Sequence, residues 1–411
     1  MHRPHMKQSV LSNRANPLQA ESARGFTWLG HSNLAGKPDG VQVMVNKGHA
    51  FVGHPFTGGG ITVVDVRDPR DPRPVNFLHV HPRSWTLHFQ AFDDLMLVAE
   101  EFNFIAGKPQ AQWRDADCDA GLRVYDLADP VKPRAIGFMP VEGLGLHRVW
   151  WTGGRYAFAS ALLDGFTDHI LVSIDLIDPT RPREIGRWWV PGMWQAGGET
   201  HDWQGRVALH HPVVANGIAY CGWRDAGLIL VDVADPSAPR FISRLNPHPP
   251  FGGGTHTALP LPSRSLTVVA DEAMSDISIE PQKYIWMVDT RVPANPVSIA
   301  TMPLPADQDY AARGGTFGPH NLWENRPDGF VSDELIFATF QSGGVRAYDV
   351  SNPFRPEELG YFVPPPPATL VDPRPGIKRI THSADVYVAA NGLVFVTDYN
   401  GGLYVLETDL I

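Results

Sequence analysis

The 411-residue sequence predicts an all-β fold, a seven-bladed β-propeller, from three observations. A phrase of the form Asp-x-x-Asp-Pro-x-x-Pro recurs after short β-forming runs. It reads GITVVDVRDPRDPRP around Asp65, GLRVYDLADPVKP around Asp126, ILVSIDLIDPTRP around Asp175 and GLILVDVADPSAP around Asp232. Degenerate copies are YIWMVDTRVPANP around Asp289, GVRAYDVSNPFRP around Asp349 and GLYVLETDL ending after Glu407. The anchors are separated by 61, 49, 57, 57, 60 and 58 residues, room for one four-stranded blade and a variable loop. Beyond each Pro pair another short apolar stretch follows, such as VNFLHV after Pro74 and EELGYFVP after Pro356.

Each element has a local reason. Val, Ile, Leu and Tyr form the strand, the Asp at its end can accept turn N–H groups, and Pro stops the ladder because it has no N–H to donate. The apolar stretch after the Pro pair is then the outer strand of the blade. The seventh copy lacks one before Ile411, while Gly25 to Gly30 near the N-terminus has the same character. An N-terminal strand is therefore expected to close the last blade and remove two open sheet edges. Residues 1–23, with His2 and His5, are expected to form a flexible tail, and residues 24–411 a single propeller domain.

Composition narrows the setting. Gly 39 and Pro 38 suit a turn-rich all-β chain, and two cysteines, Cys118 and Cys221, are expected to be free thiols. No apolar run approaches 18 residues and no secretory h-region follows Met1, so the expectation is a cytoplasmic protein without a membrane span. A formal charge of -10 opposes binding to a phosphate backbone, which excludes nucleic acid as an expected partner.

The second periodic feature is a histidine at the start of the inner strand of six blades: His88, His147, His210 or His211, His256, His320 and His382. Inner strands line a propeller's channel and all begin at one end of it, so these imidazoles are expected to converge. Neutral imidazoles bind Fe, Cu, Zn and Mn, and several around one axis can approach a common point at about 2.0–2.2 Å. The expected ligand set is His211, His256, His320 and His382, from consecutive blades, with His147 as first substitute and His211 preferred to its neighbour by strand alternation. His88 and His147 are then left to orient substrate or move protons.

The loops that open at the same end carry Glu100 and Glu101, Asp164, Arg224 and Asp225, Asp271 and Glu272, Gln341 and Asp398. Glu101, Asp271 and Glu272 are expected to orient imidazoles or handle protons, and Arg224 to hold an anionic group. Trp150 and Trp151 read as wedges between blades. The Gly-rich insertion with Trp194, His201, Asp202 and Trp203 reads as a lid, and FNFIAGKPQAQWRDADCDAG after Glu101 as part of the rim.

Strands such as GLILVDVADP around Asp232 and GLRVYDLADP around Asp126 resemble the LVIVD-repeat propellers, over nearly everything from Gly25 to Ile411. A weaker, architectural similarity connects the chain to selenium-binding-type thiol oxidases and to carotenoid-cleaving oxygenases. The latter resemblance implies four axial histidines on ferrous iron backed by glutamates, which would fall on His211, His256, His320 and His382, with Glu100, Glu101 or Glu272 behind them. The resulting expectation is a metal-dependent oxidoreductase or oxygenase, with Fe favoured over Mn, Cu or Zn, acting on a small aromatic or heterocyclic, possibly anionic substrate. Two alternatives stand beside it: a lyase, isomerase or hydrolase using the ion as Lewis acid, and a non-catalytic protein-binding propeller.

Overall fold

A computed structural model describes residues 19–105 and 117–411. The expected tail therefore falls almost wholly outside the described residues, as does the centre of the rim insertion after Glu101. Among the described residues the strands form five four-stranded antiparallel sheets and one of nine strands.

The nine-stranded sheet is two blades in one. Phe89–Phe92, Leu95–Phe102, Gly121–Asp126 and Arg134–Pro140 make the second blade, and Gly143–Trp150, Tyr156–Leu163, Ile170–Asp175 and Arg183–Trp188 the third. They are joined where Gly145 pairs with Glu101. The first, fourth and fifth blades run from Val43–Asn46 to Arg73–Leu78, from His211–Ala215 to Arg240–Leu245 and from Thr255–Leu261 to Val297–Thr301. The sixth contains Leu335–Thr339, Val345–Asp349 and Glu357–Val363, with its innermost segment held by a bridge from Leu322 to Ala338.

The last blade closes as expected. Phe26–Ser32 pairs antiparallel with Gly402–Thr408, with Thr27 opposite Glu407. One boundary needs correction: Ser22–Arg24 is itself a strand, paired with Tyr361 to Val363 on the outside of the sixth blade. The propeller therefore begins before residue 24, because a closing strand that enters along the neighbouring blade can satisfy that blade's edge as well.

The repeated Asp does the same work in six blades. Asp65, Asp126, Asp175, Asp232, Asp289 and Asp349 each accept the backbone N–H two residues on, at 2.7–3.1 Å. The register to the outer strand then slips at one equivalent place in every one of these blades, between Val63 and Val64 in the first and between Ala347 and Tyr348 in the sixth. That bulge twists the outer strand onto the next blade.

Contact between blades is backbone-close at the Asp-Pro turn. A Cβ on Gly30, Gly137 or Gly186 would lie 2.3, 2.5 or 2.3 Å from the carbonyl oxygen of Pro69, Pro179 or Pro236 in the following blade. Only glycine fits there. Where the outer strand carries Asn76 or Ser243 instead, the side chain donates to the Val131 or Pro293 carbonyl at 2.8 and 2.6 Å. Gly30 belongs to the last blade and Pro69 to the first, so the same contact closes the ring. Trp150 and Trp151 are buried in the core between the third blade and its neighbours, as their wedge role requires.

If closure stabilises the ring, a covalent clamp across it should do so further. Oxidised T27C/E407C protein is expected to melt several degrees above its own reduced form, since a disulfide over so long a loop contributes about 2–4 kcal/mol. Equal melting temperatures, with the disulfide verified by mass, would contradict the pairing of these two strands.

Candidate metal centre

The inner ends of the blades surround a cavity of about 550 Å³ at one end of the channel. His88, His147, His256 and His320 line it, together with Glu101, Glu272 and Arg224. Each comes from the position where a blade's inner strand begins, or from the loop leaving its second strand, because antiparallel strands alternate ends and bring these two positions to the same rim.

Three expected members of the site lie elsewhere. His211 faces away from the cavity: its Nε2 meets Glu324 Oε1 at 2.9 Å and its ring lies edge-on to Trp150. His210 turns into the cavity in its place. Adjacent strand residues point to opposite sides, and the register here gives the cavity to the first of the pair. His382 is the second correction. Its main-chain N–H donates to Asp398, and its ring packs at 4.6 Å behind Tyr399, which takes the place on the cavity wall. Asp271 is the third: it accepts from Thr255 Oγ1 at 2.8 Å and Trp286 Nε1 at 2.6 Å inside its own blade. The alternation that turns Glu272 inward turns Asp271 outward. Glu100 likewise binds Arg123 while Glu101 faces the cavity.

Trp194, His201, Asp202 and Trp203 of the insertion read as a lid are not among the residues that line the cavity. Trp194 is 41% exposed and stacks on Phe166, and His201 stacks on Trp203 at 4.0 Å. From the C-terminal end of that insertion Arg206 reaches the cavity instead.

The hydrogen bonds decide which imidazole nitrogens are free. His147 Nδ1 lies 2.9 Å from Glu101 Oε2, His210 Nδ1 lies 3.2 Å from the His256 carbonyl, and His320 Nδ1 lies 2.5 Å from the Ala384 carbonyl. Carboxylates and carbonyls only accept, so each Nδ1 carries the proton and each Nε2 its lone pair. The Nε2 atoms of His147 and His210 face one another at 3.2 Å, lone pair to lone pair. His88 Nδ1 is buried with no hydrogen-bond partner among the described residues. Burial pushes His88, His147, His210, His256 and His320 below the usual imidazole value, and at neutral pH they are uncharged donors. Beside Glu101, His147 and His169, which are already hydrogen-bonded to one another, two further sets of side chains bring their ligand atoms within 4.8 Å of one another: His88, His147 and His210, and His256, Glu272 and His320. These residues fit a metal ion, which would replace lone-pair repulsion by coordination.

Glu101 holds this arrangement from behind. Its Oε2 accepts from Trp85 Nε1 at 3.0 Å as well as from His147, and its Oε1 accepts from His169 Nε2 at 2.5 Å. Burial opposes its charge, but the two imidazoles outweigh burial and hold the carboxyl well below the carboxylate range. His169 also donates from Nδ1 to Asp168 at 2.6 Å, and Asp168 receives Arg206 at 2.8 Å. Burial acts against the His169 charge, yet Glu101 and Asp168 together raise its pKa. Sequence reasoning missed His169, Asp168, Arg206 and Tyr399. For His169 a signal exists: it precedes the third strand of its blade, in the same loop as Asp164.

Arg224 donates to Glu272 Oε2 and adopts a φ of 43°, a left-handed backbone that holds its guanidinium over the cavity. Burial raises the Glu272 carboxyl, but Arg224 and His320 outweigh it and lower the pKa.

The model for the LVIVD repeat family matches residues 213–246, the fourth blade from inner to outer strand. No curated protein matches the chain by sequence. Solved structures similar to this chain include a Pseudomonas aeruginosa periplasmic gluconolactonase, at 13% identity and TM-score 0.56, covering 88% of this chain and 96% of that one. A hypothetical selenium-binding protein from Sulfolobus tokodaii is similar at 14% identity and TM-score 0.57, covering 89% and 90%. A β-propeller domain from Myceliophteria thermophila is similar at 11% identity and TM-score 0.53, covering 90% and 96%. At these identities the likeness shows the propeller fold.

Glu101 and Asp271, both buried acids at the ends of second strands, should separate cleanly. Glu101→Gln is expected to lower metal affinity roughly 10–100-fold, since it removes the charge and leaves one acceptor oxygen where His147 and His169 each use one. Asp271→Asn should leave metal content unchanged. Burial pushes Asp271 up to about 6, so the folded protein keeps a proton there that the unfolded chain, at 3.8, has released. Stability contributed by that proton is lost as pH rises from about 4 through 6, and Asp271→Asn should flatten this slope in denaturant midpoints measured across the range. An unaltered slope, or metal lost from Asp271→Asn, would count against the placement.

Proposed function

We propose that the protein is a metal-dependent enzyme whose ion is held by His88, His147 and His210, and that it acts on a compact aromatic or heterocyclic molecule in the adjoining cavity. The observation that carries this reading is the facing pair of Nε2 lone pairs, each imposed by an acceptor on the other ring nitrogen. Uncharged imidazoles without a carboxylate in the set suit Fe, Cu or Zn rather than Mg or Ca.

A bound Fe or Cu would supply electron transfer or oxygen activation there, whereas Zn or Mn would supply Lewis acidity. The chain's own residues do the rest. Glu101 fixes the His147 tautomer, and His169 keeps Glu101 ionised. Phe104, Trp85, Leu144 and Phe166 line the cavity with apolar surface that excludes water and offers ring faces to a planar substrate. Arg206, Arg224 and Arg374 are the cations on the wall that an anionic substituent would meet, paired with Asp168, Glu272 and Asp372.

Oxidoreductase chemistry is the first reading because the donors of this set are all imidazole and apolar side chains, Phe104, Leu144 and Phe166 among them, line part of the cavity. A Lewis-acid lyase, isomerase or hydrolase is the second, supported by the line Glu101, His169 and Asp168, which leads from the ligand His147 to a part-exposed carboxylate and gives a proton a route.

Elemental analysis of protein purified without added metal decides between them. At least about one equivalent of Fe or Cu supports the redox reading, and Mn or Zn the second, while less than about 0.1 equivalent with no rescue by a divalent ion would sink both and leave the binding scaffold. His210→Ala should lose the ion and His211→Ala should keep it. The reverse would return the site to the other face of the strand.

A further inference from the structure

We infer that the cavity holds two metal ions, the second bound by His256, Glu272 and His320. This rests on the metal-dependent reading above and extends it from a mononuclear to a dinuclear centre.

Apart from Glu101, His147 and His169, which are already hydrogen-bonded to one another, the donors fall into two sets that share no residue, His88 with His147 and His210, and His256 with Glu272 and His320. They come from different blades: the first from the second to the fourth, the second from the fifth and sixth. Where the sets meet, His210 and His256 lie ring on ring, centroids 3.5 Å apart and planes at 26°. Imidazoles bound to one ion splay outward from it, because each lone pair lies in its ring plane and points at the common atom. Rings stacked almost parallel cannot both do so. His210 and His256 therefore serve different points, and one ion shared by all five imidazoles is not what this geometry describes.

The second set is a donor set of its own. His320 Nδ1 faces the Ala384 carbonyl at 2.5 Å, which leaves the Nε2 lone pair directed to Glu272 Oε1 at 3.5 Å. His256 Nε2 lies 3.4 Å from Oε2 of the same carboxylate. On the His320 side of Glu272 acceptor faces acceptor, the relation a cation relieves, and His256 Nδ1 has a hydroxyl partner, Thr257 Oγ1 at 3.0 Å, that permits a free Nε2 lone pair. Arg224 engages Oε2 and leaves Oε1 turned to His320. Two imidazoles and one carboxylate suit Fe, Mn, Co or Zn and keep positions open for substrate. Each set also has its own acid, Glu101 behind His147 and Glu272 within the second.

Arg224 also ranks the two sites. Its positive charge beside Glu272 opposes a cation there, so the second site should fill after the first.

Full-length protein stripped by chelator and titrated with Co(II), followed by visible absorption and by elemental analysis after desalting, tests the inference. Wild type is expected to take up about two equivalents in two resolved phases, and Glu272→Gln and His320→Ala about one, with the first phase intact. His88→Ala should retain the second phase. Arg224→Ala should bring the two phases together. Far-UV circular dichroism and melting temperature verify that each variant folds, and the near-isosteric Glu272→Gln covers the case in which His320→Ala does not. One equivalent in wild type, unchanged in Glu272→Gln and His320→Ala, would overturn the second site and leave the mononuclear reading standing. Complete loss of cobalt in both His88→Ala and His320→Ala would mean one shared ion and also overturn it. No uptake by wild type would remove the metal reading itself.

Discussion

The structure depends on closing a ring. Phe26–Ser32 must pair with Gly402–Thr408, across almost the whole length of the chain, before the last blade has four strands or the first blade a neighbour on both sides. The contact that enforces closure is the same one used between consecutive blades, a residue without bulk on an outer strand lying beneath the carbonyl of the next Asp-Pro turn. Because five of the seven junctions are set at this turn, by glycine or by a side chain bonded to its carbonyl, the inner strands are brought to a common level. Convergence of the imidazoles is a result of that geometry and needs no separate device.

What convergence creates is electrostatically costly, and the second layer of residues offsets the cost. Five imidazoles are buried together in one wall, with Arg148 close beneath them and Arg224 beside them, so none gains a proton easily. Their neutral state leaves lone pairs with no protein donor. Carboxylates are brought in singly, Glu101 at one side and Glu272 at the other, and each is committed to ring nitrogens or to a guanidinium. His169, held between Glu101 and Asp168, carries a positive charge just outside the set and keeps Glu101 an acceptor. An arrangement of uncharged donors backed by fixed acceptors is the usual support of a metal ion, since an unbraced imidazole loses both orientation and basicity.

The far half of the channel shows the contrast. There Glu324 pairs with both His211 and Arg148, and Arg148 is also bonded to Asn321, so that His211 faces a carboxylate where His147 and His210 face one another. One strand supplies both environments, His210 to one and His211 to the other. The two ends of the channel therefore differ in chemistry although the same blades build them.

The sequence by itself determined the blade. Val and Ile alternation, the Asp that accepts the N–H two residues on and the Pro that ends the ladder are local interactions, readable wherever they repeat, and so were the closing strand near Trp28 and the histidine of six inner strands. Only the tertiary structure decided which side chains face the cavity. His210 rather than His211, Glu272 rather than Asp271, and Tyr399 in front of His382 depend on the register of one strand against another and on a loop arriving from a neighbouring blade. A shift of one residue in register exchanges the two faces of a strand, and register is set by packing across the ring rather than by the residues of the strand alone.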